Sequence, residues 1–188
     1  MKSTEIITLI GISLSTIVGS AALLIGIKNS KKTIYINSVT ASRIRYMQDI
    51  RNSIAEFCGL FYRYNLLASD CKDLSTEKLK ILESADRLKY LIQLYLNPED
   101  KIWDTKIVNL IDSIRNELDN NPDEKIEELI LISQYLLKLE WEGAKLESQK
   151  GRISDKKKQE LNKKYADVYK KAKCEWLNSK HESVARKR

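Results

Sequence analysis

Residues 6–27 form a run of 22 residues without a charge, bounded by Glu5 and Lys28. No other feature of the sequence restricts the fold as strongly. At ~1.5 Å per residue, a helix of this length spans roughly 33 Å, enough for the ~30 Å hydrocarbon layer of a bilayer. A cleaved signal peptide has an apolar core of about 7–15 residues, a basic start and a small-x-small cleavage site. Here Lys2 is offset by Glu5 and no such site closes the run, so residues 1–28 read as a retained transmembrane anchor. Basic residues gather behind the span, at Lys28, Lys31, Lys32, Arg43, Arg45 and Arg51, against Lys2 alone in front of it. The positive-inside rule then places the N-terminus outside and the body of the chain in the cytosol. Cys58, Cys71 and Cys174 match no zinc spacing and suit reduced, inert thiols in that compartment.

The anchor has a small-residue face. Gly11, Ser15, Gly19, Ala22 and Gly26 recur at helical spacing, which lets two transmembrane backbones approach closely and favours self-association.

Beyond residue 30 the chain has two prolines and three glycines, too few turn signals for a many-stranded sheet. The expected class is all-α: the transmembrane helix followed by a four- to five-helix cytosolic bundle. Residues 29–39 read as a linker or extended arm, 40–150 as the helical domain, and 151–188 as a basic amphipathic helix and tail. Within the domain the first helix covers about 40–68, with Met47, Ile50, Ile54, Phe57, Cys58 and Phe61 on one face. A loop near 70–74 precedes a second helix over about 76–96. Asn97-Pro98 suits the start of a third, to residue 118, with a stripe of Trp103, Ile107, Leu110, Ile111, Ile114 and Leu118. Asn121-Pro122 repeats that punctuation before a fourth helix, which Gly151 ends. The fourth helix is apolar on two sides. One stripe includes Leu129, Ile130, Leu136 and Trp141; the other holds Leu131, Tyr135, Leu139 and Leu146. Such a helix is either the bundle's centre or a contact with another subunit. A fifth, lysine-rich helix runs to about residue 178, on a thinner stripe of Leu161, Tyr165, Val168, Ala172 and Trp176.

Charge divides along the chain: net +5 over 28–51, −7 over 52–149 and +9 over 150–188. A basic amphipathic tail tethered near a membrane is attracted to anionic lipid. Tyr165, Tyr169 and Trp176 interleave with its lysines, a pattern that also suits phosphate-rich ligands with bases to stack. No glycine-rich phosphate loop occurs, and the single histidine, His181, builds no triad or metal site. The carboxylate pair Glu127-Glu128 reads as a solvated face. No catalytic residue, metal or cofactor is expected, and the chain reads as a non-enzyme.

Two arginines stand out of place. On a helical wheel Arg43 falls at the centre of the first apolar stripe and Arg51 at its edge, while Glu140 sits in the fourth helix's stripe beside Trp141. Two readings stand side by side. Arg43 or Arg51 pairs with Glu140, satisfying charges that are costly alone; or one or both hold an anion with bidentate geometry. Lys138 and Lys145, at the flank of the fourth helix's stripe, complete the candidate ligand set.

The segments INSVTASRIRYMQDIRNSIAEF and YLLKLEWEGAKLE, behind a short anchor, are similar to a set of small single-span bacterial proteins. In those a threonine-then-arginine helix start with a second arginine eight residues on corresponds to Thr40, Arg43 and Arg51. Their Leu-Lys-x-Glu-Trp-Glu corresponds to Leu137, Lys138, Glu140, Trp141 and Glu142. The architecture also resembles the membrane-anchored ancillary effectors of type III CRISPR antiviral defence. That resemblance implies an inner-membrane homo-oligomer, a tetramer favoured, that binds cyclic tetra-adenylate through its helical domain and acts on the membrane. The expected partners are other copies of the chain, a cyclic oligoadenylate and an anionic lipid surface, without double-stranded nucleic acid. The alternative is a non-enzymatic membrane-anchored scaffold.

Overall fold

A computed structural model of the chain describes residues 3–70, 75–97, 100–116 and 122–185. These fold into five α-helices: α1 (Ser3–Asp70), α2 (Ser75–Tyr95), α3 (Asp104–Asn116), α4 (Asp123–Lys150) and α5 (Asp155–Ala185). No strand occurs among the described residues.

α1 dominates the molecule. Its 68 residues extend over ~100 Å. Its apolar first part is exposed from Gly11 onward, and it is the one helix among the described residues long and apolar enough to cross a membrane. Ser15, Thr16 and Ser20 donate their hydroxyls to carbonyls three or four residues earlier, so the helix satisfies its own polar side chains there. Gly11, Gly19 and Gly26 face open space. The stretch 29–39, expected as a linker or extended arm, is helical instead. Its β-branched residues cost only tenths of a kcal/mol each in a helix, and neither proline nor glycine interrupts the chain there. Contact with the body begins at Arg43, which pairs with Glu140 and Glu147 of α4, roughly 22 Å beyond Lys28 along the axis, and Met47 is the first buried core residue. Residues 28–42 are therefore a stalk.

Beyond the stalk, α1 buries Ile50, Ile54, Phe57 and Phe61, the two rings meeting at 4.7 Å between centroids. It packs on α2 and on α4, and α3 packs on both of these, so the four close a ring. Ion pairs brace the contacts: Arg63–Glu77 joins α1 to α2, and Lys89–Asp112 and Arg115–Asp86 join α2 to α3. Cys58 is half-buried and its thiol is pushed up to about 11 by burial; Cys174 is exposed. Cys71 lies outside the described residues.

α3 starts at Asp104, six residues later than Pro98 suggests. The Asp100 carboxylate accepts the N–H groups of Ile102 and Trp103, holding a turn where the helix was expected. A short acidic side chain that bonds nearby amides competes with helix in this way. Leu118, the last residue of the expected stripe, lies outside the described residues.

α4 ends as its sequence implies, at Gly151, whose φ of 79° lies in the left-handed region and whose N–H bonds the Glu147 carbonyl. It is the centre of the body, touching α1, α3 and α5. Its expected stripes are redistributed: Ile130 and Trp141 are exposed, while Ile132 and Ser133 are buried. The second apolar side is covered from within the chain. Tyr169 of α5 packs edge-on against Tyr135 at 5.9 Å and against Trp103 at 5.6 Å.

α5 differs from its expected stripe for the same reason. Tyr165, Ala166 and Tyr169 are buried while Val168 is exposed, and the helix continues to Ala185. Glu127 and Glu128 are not an idle solvated pair. Glu128 takes Lys173 of α5 and Lys106 of α3, and Glu127 takes Lys180 at 2.5 Å and the Trp176 indole N–H at 3.2 Å.

Candidate functional site

The seam between α1 and α4 carries the misplaced charges of both helices, and it has two flanks. The first flank is built around Arg43. Its Nη1 donates to Glu140 at 2.9 Å, and its Nε and Nη2 reach the two oxygens of Glu147 at 3.1 and 3.3 Å. Glu147 is two turns beyond Glu140 on the same side of α4, so one guanidinium bridges both. Gly143, between them, makes the approach possible: a Cβ there would lie 2.9 Å from Arg43 Nη1.

Arg43 also forms one wall of a cleft of about 500 Å³ at the stalk end of the body. α1 contributes Tyr46, α2 Tyr95, the following turn Asp100, α3 Asp104 and α5 Lys158. Asp104 is buried, and burial pushes its carboxyl up to about 6, with Asp100 and Glu140 adding repulsion. The Asn97 N–H, donating to its Oδ2 at 2.6 Å, opposes this. Glu140 is raised by burial, in spite of Arg43, and Tyr46 is raised by burial and by Asp104 and Glu140.

The second flank is an open groove of about 470 Å³. Arg51 and Gln48 line it from α1, Gln134, Lys138 and Trp141 from α4, over a floor that includes Met47 and Leu137. Arg51 and Lys138 are both exposed, and Trp141 leaves about half of its surface (51%) to solvent. Lys145 is exposed too, two turns from Lys138 on the same side of α4 and outside the groove lining.

The four candidate ligands are thus divided. Arg51 and Lys138 meet across one groove, Lys145 stands beside it, and Arg43 belongs to the opposite flank with its donors on two glutamates. The aromatic residues of α5 do not form a stacking platform: Tyr165 and Tyr169 are buried in the core, and the Trp176 indole is bonded to Glu127. Helical-wheel reasoning finds Arg43 and Glu140 but misses Asp104, Glu147 and Gly143. Glu147 had a signal, its seven-residue spacing from Glu140. Asp104 had none, because its burial follows from the turn at Asp100.

Compared with known protein families, with characterised proteins and with solved structures, the chain matches none.

Proposed function

We propose that the chain is a membrane-anchored, non-enzymatic effector whose cytosolic helical domain takes an anionic ligand in the α1–α4 groove. The observation that carries this reading is the meeting of Arg51 and Lys138, from two helices, beside a half-exposed Trp141. Two cationic side chains supply charge-assisted bonds to phosphate, and an indole face supplies a surface on which a base can stack. The ligand class is a phosphate-bearing nucleotide messenger. Cyclic tetra-adenylate is the first candidate, by the resemblance to CRISPR-associated membrane effectors. In this reading the apolar part of α1 is a single span in a bacterial inner membrane, with the N-terminus outside. Copies associate through the face of Gly11, Ser15, Gly19, Ala22 and Gly26, a tetramer being favoured because a four-phosphate ring offers one phosphate to each copy. The exposed lysines of α5 face anionic lipid.

The test is calorimetry on the full chain in detergent with cyclic tri-, tetra- and hexa-adenylate. Tight binding of one ring is expected, with Arg51→Ala and Lys138→Ala each weakening it at least about tenfold while melting as the parent does. Arg43→Ala should instead lower stability by about 2–3 kcal/mol, somewhat less than a fully buried pair, because it leaves Glu147 without its cation. Absence of heat with every ring rejects the messenger.

A second reading, a membrane-anchored scaffold, is favoured by α2. Its outer face exposes Leu79, Tyr90, Leu91 and Leu94, more apolar surface than scattered single residues present.

A further inference from the structure

We propose that the cleft at the stalk end of the body binds a small organic polycation, an aliphatic di- or polyamine, independently of the anion groove on the opposite flank. The cleft is walled by all five helices and the turn between α2 and α3, and its ~500 Å³ falls within the range of small-molecule sites. Its charge is unbalanced. Asp100, Asp104 and Glu140 line it, with Glu147 behind them, against two cations. One of those, Arg43, is already shared between Glu140 and Glu147. The other, Lys158, is half-exposed and pairs along its own helix with Asp155 at 3.7 Å.

Among the described residues no ammonium or guanidinium lies within ion-pair distance of Asp100 or Asp104. Asp104 is the telling group. It is buried, at 6% exposure, and the Asn97 N–H is a neutral partner for a charge held in low dielectric. A titration near 6 agrees with a carboxylate short of a counter-charge.

The remaining lining says what kind of cation fits. Among the described residues no three carboxylates, thiols or imidazoles gather in metal-binding geometry. The acids come from three different elements, the turn, the start of α3 and the middle of α4. An extended chain with spaced ammonium groups can serve such separated carboxylates; a compact divalent ion cannot. Tyr46 and Tyr95 add aromatic surface, which attracts an ammonium by its ring quadrupole and packs against the methylenes between charges.

The experiment uses the full chain in detergent at pH 7.5, with spermidine and putrescine as probes and MgCl₂ at equal ionic strength as the control. Calorimetric binding and a rise in melting temperature are expected with spermidine and not with magnesium. Asp104→Asn keeps an acceptor for the Asn97 N–H and removes the charge, so it should fold while weakening spermidine at least about tenfold. Glu83→Gln, removing an exposed acid of α2 away from the cleft, should leave the affinity unchanged. Four results overturn the proposal: no spermidine response, an equal response to magnesium, undiminished binding by Asp104→Asn, or an equal loss in Glu83→Gln. Heat with a lysine-rich peptide and none with either amine also overturns it, in favour of a protein partner.

Discussion

At the scale of single residues, the seam between α1 and α4 shows how a charge changes character with its surroundings. Arg43 and Arg51 are two turns apart on one helix, yet one bridges two glutamates and the other faces solvent. The difference lies on α4, where Gly143 leaves room for a guanidinium to approach the helix closely. Asp104 illustrates the opposite case, a buried acid lacking a cation. Its carboxyl is pushed up to about 6 from an ordinary 3.8, so the folded state holds the proton more tightly than the unfolded chain. Its contribution to stability therefore rises as pH falls from about 6 toward 4, and the ionised form is the destabilising one at neutral pH. Asp86 and Glu127 run the other way: Arg115 and Lys180 lower them, and their contribution fades only in more acidic solution. Asp104→Asn should accordingly raise the melting temperature at pH 7.5 and raise it much less at pH 4.5. Equal shifts at both pH values would mean that something other than the proton is responsible.

At the scale of elements, α5 is held by a small number of specific contacts. Tyr169 buries its ring between Trp103 and Tyr135, and its hydroxyl accepts from Lys106 at 2.8 Å. Burial and the charge of Glu128 push that hydroxyl up to about 12. Glu128 itself is raised by burial, but Lys173 and Lys106 outweigh this and leave it below the ordinary carboxylate range. Tyr169→Ala should cost about 3–5 kcal/mol and make residues 155–185 sensitive to limited proteolysis. Tyr169→Phe should cost about 1 kcal/mol with the helix still protected. Protection of α5 in the alanine variant would show that its lysines alone hold it. The sequence makes α4 legible, because Gly151 supplies a left-handed cap and the apolar spacing runs unbroken up to it. It misreads α3, where a proline that suits a helix start is overridden by the side-chain bonds of Asp100. It misreads the buried face of α5, because Val168 and Tyr169 both satisfy the spacing and only the partner rings choose between them. The continuation of α1 through residues 29–39 is likewise decided by an absence of breakers, not by a positive signal. For the candidate site, periodicity reveals Arg43, Arg51 and Glu140 but cannot tell which flank of a seam each occupies.

At the scale of the whole molecule, the apolar segment and the first helix of the body are one continuous helix, with a stalk of roughly 22 Å between Lys28 and Arg43. The stalk holds neither proline nor glycine, so bending has no preferred place. Such a rod fixes angular phase as well as height. Each residue added to it turns the body by ~100° about the axis and lifts it ~1.5 Å; seven residues return the phase to within ~20°. In a homo-oligomer, phase decides which faces of neighbouring bodies meet. A spin label on the exposed Cys174, with Cys58 and Cys71 replaced by alanine, would report this as a distance between copies. One residue inserted after Ser38 should change that distance, and seven should nearly restore it. An unchanged distance after the single insertion would reveal slack in the rod. In the function proposed above, a ligand that turned the body would turn the apolar segment with it, and what reached the membrane would be torque.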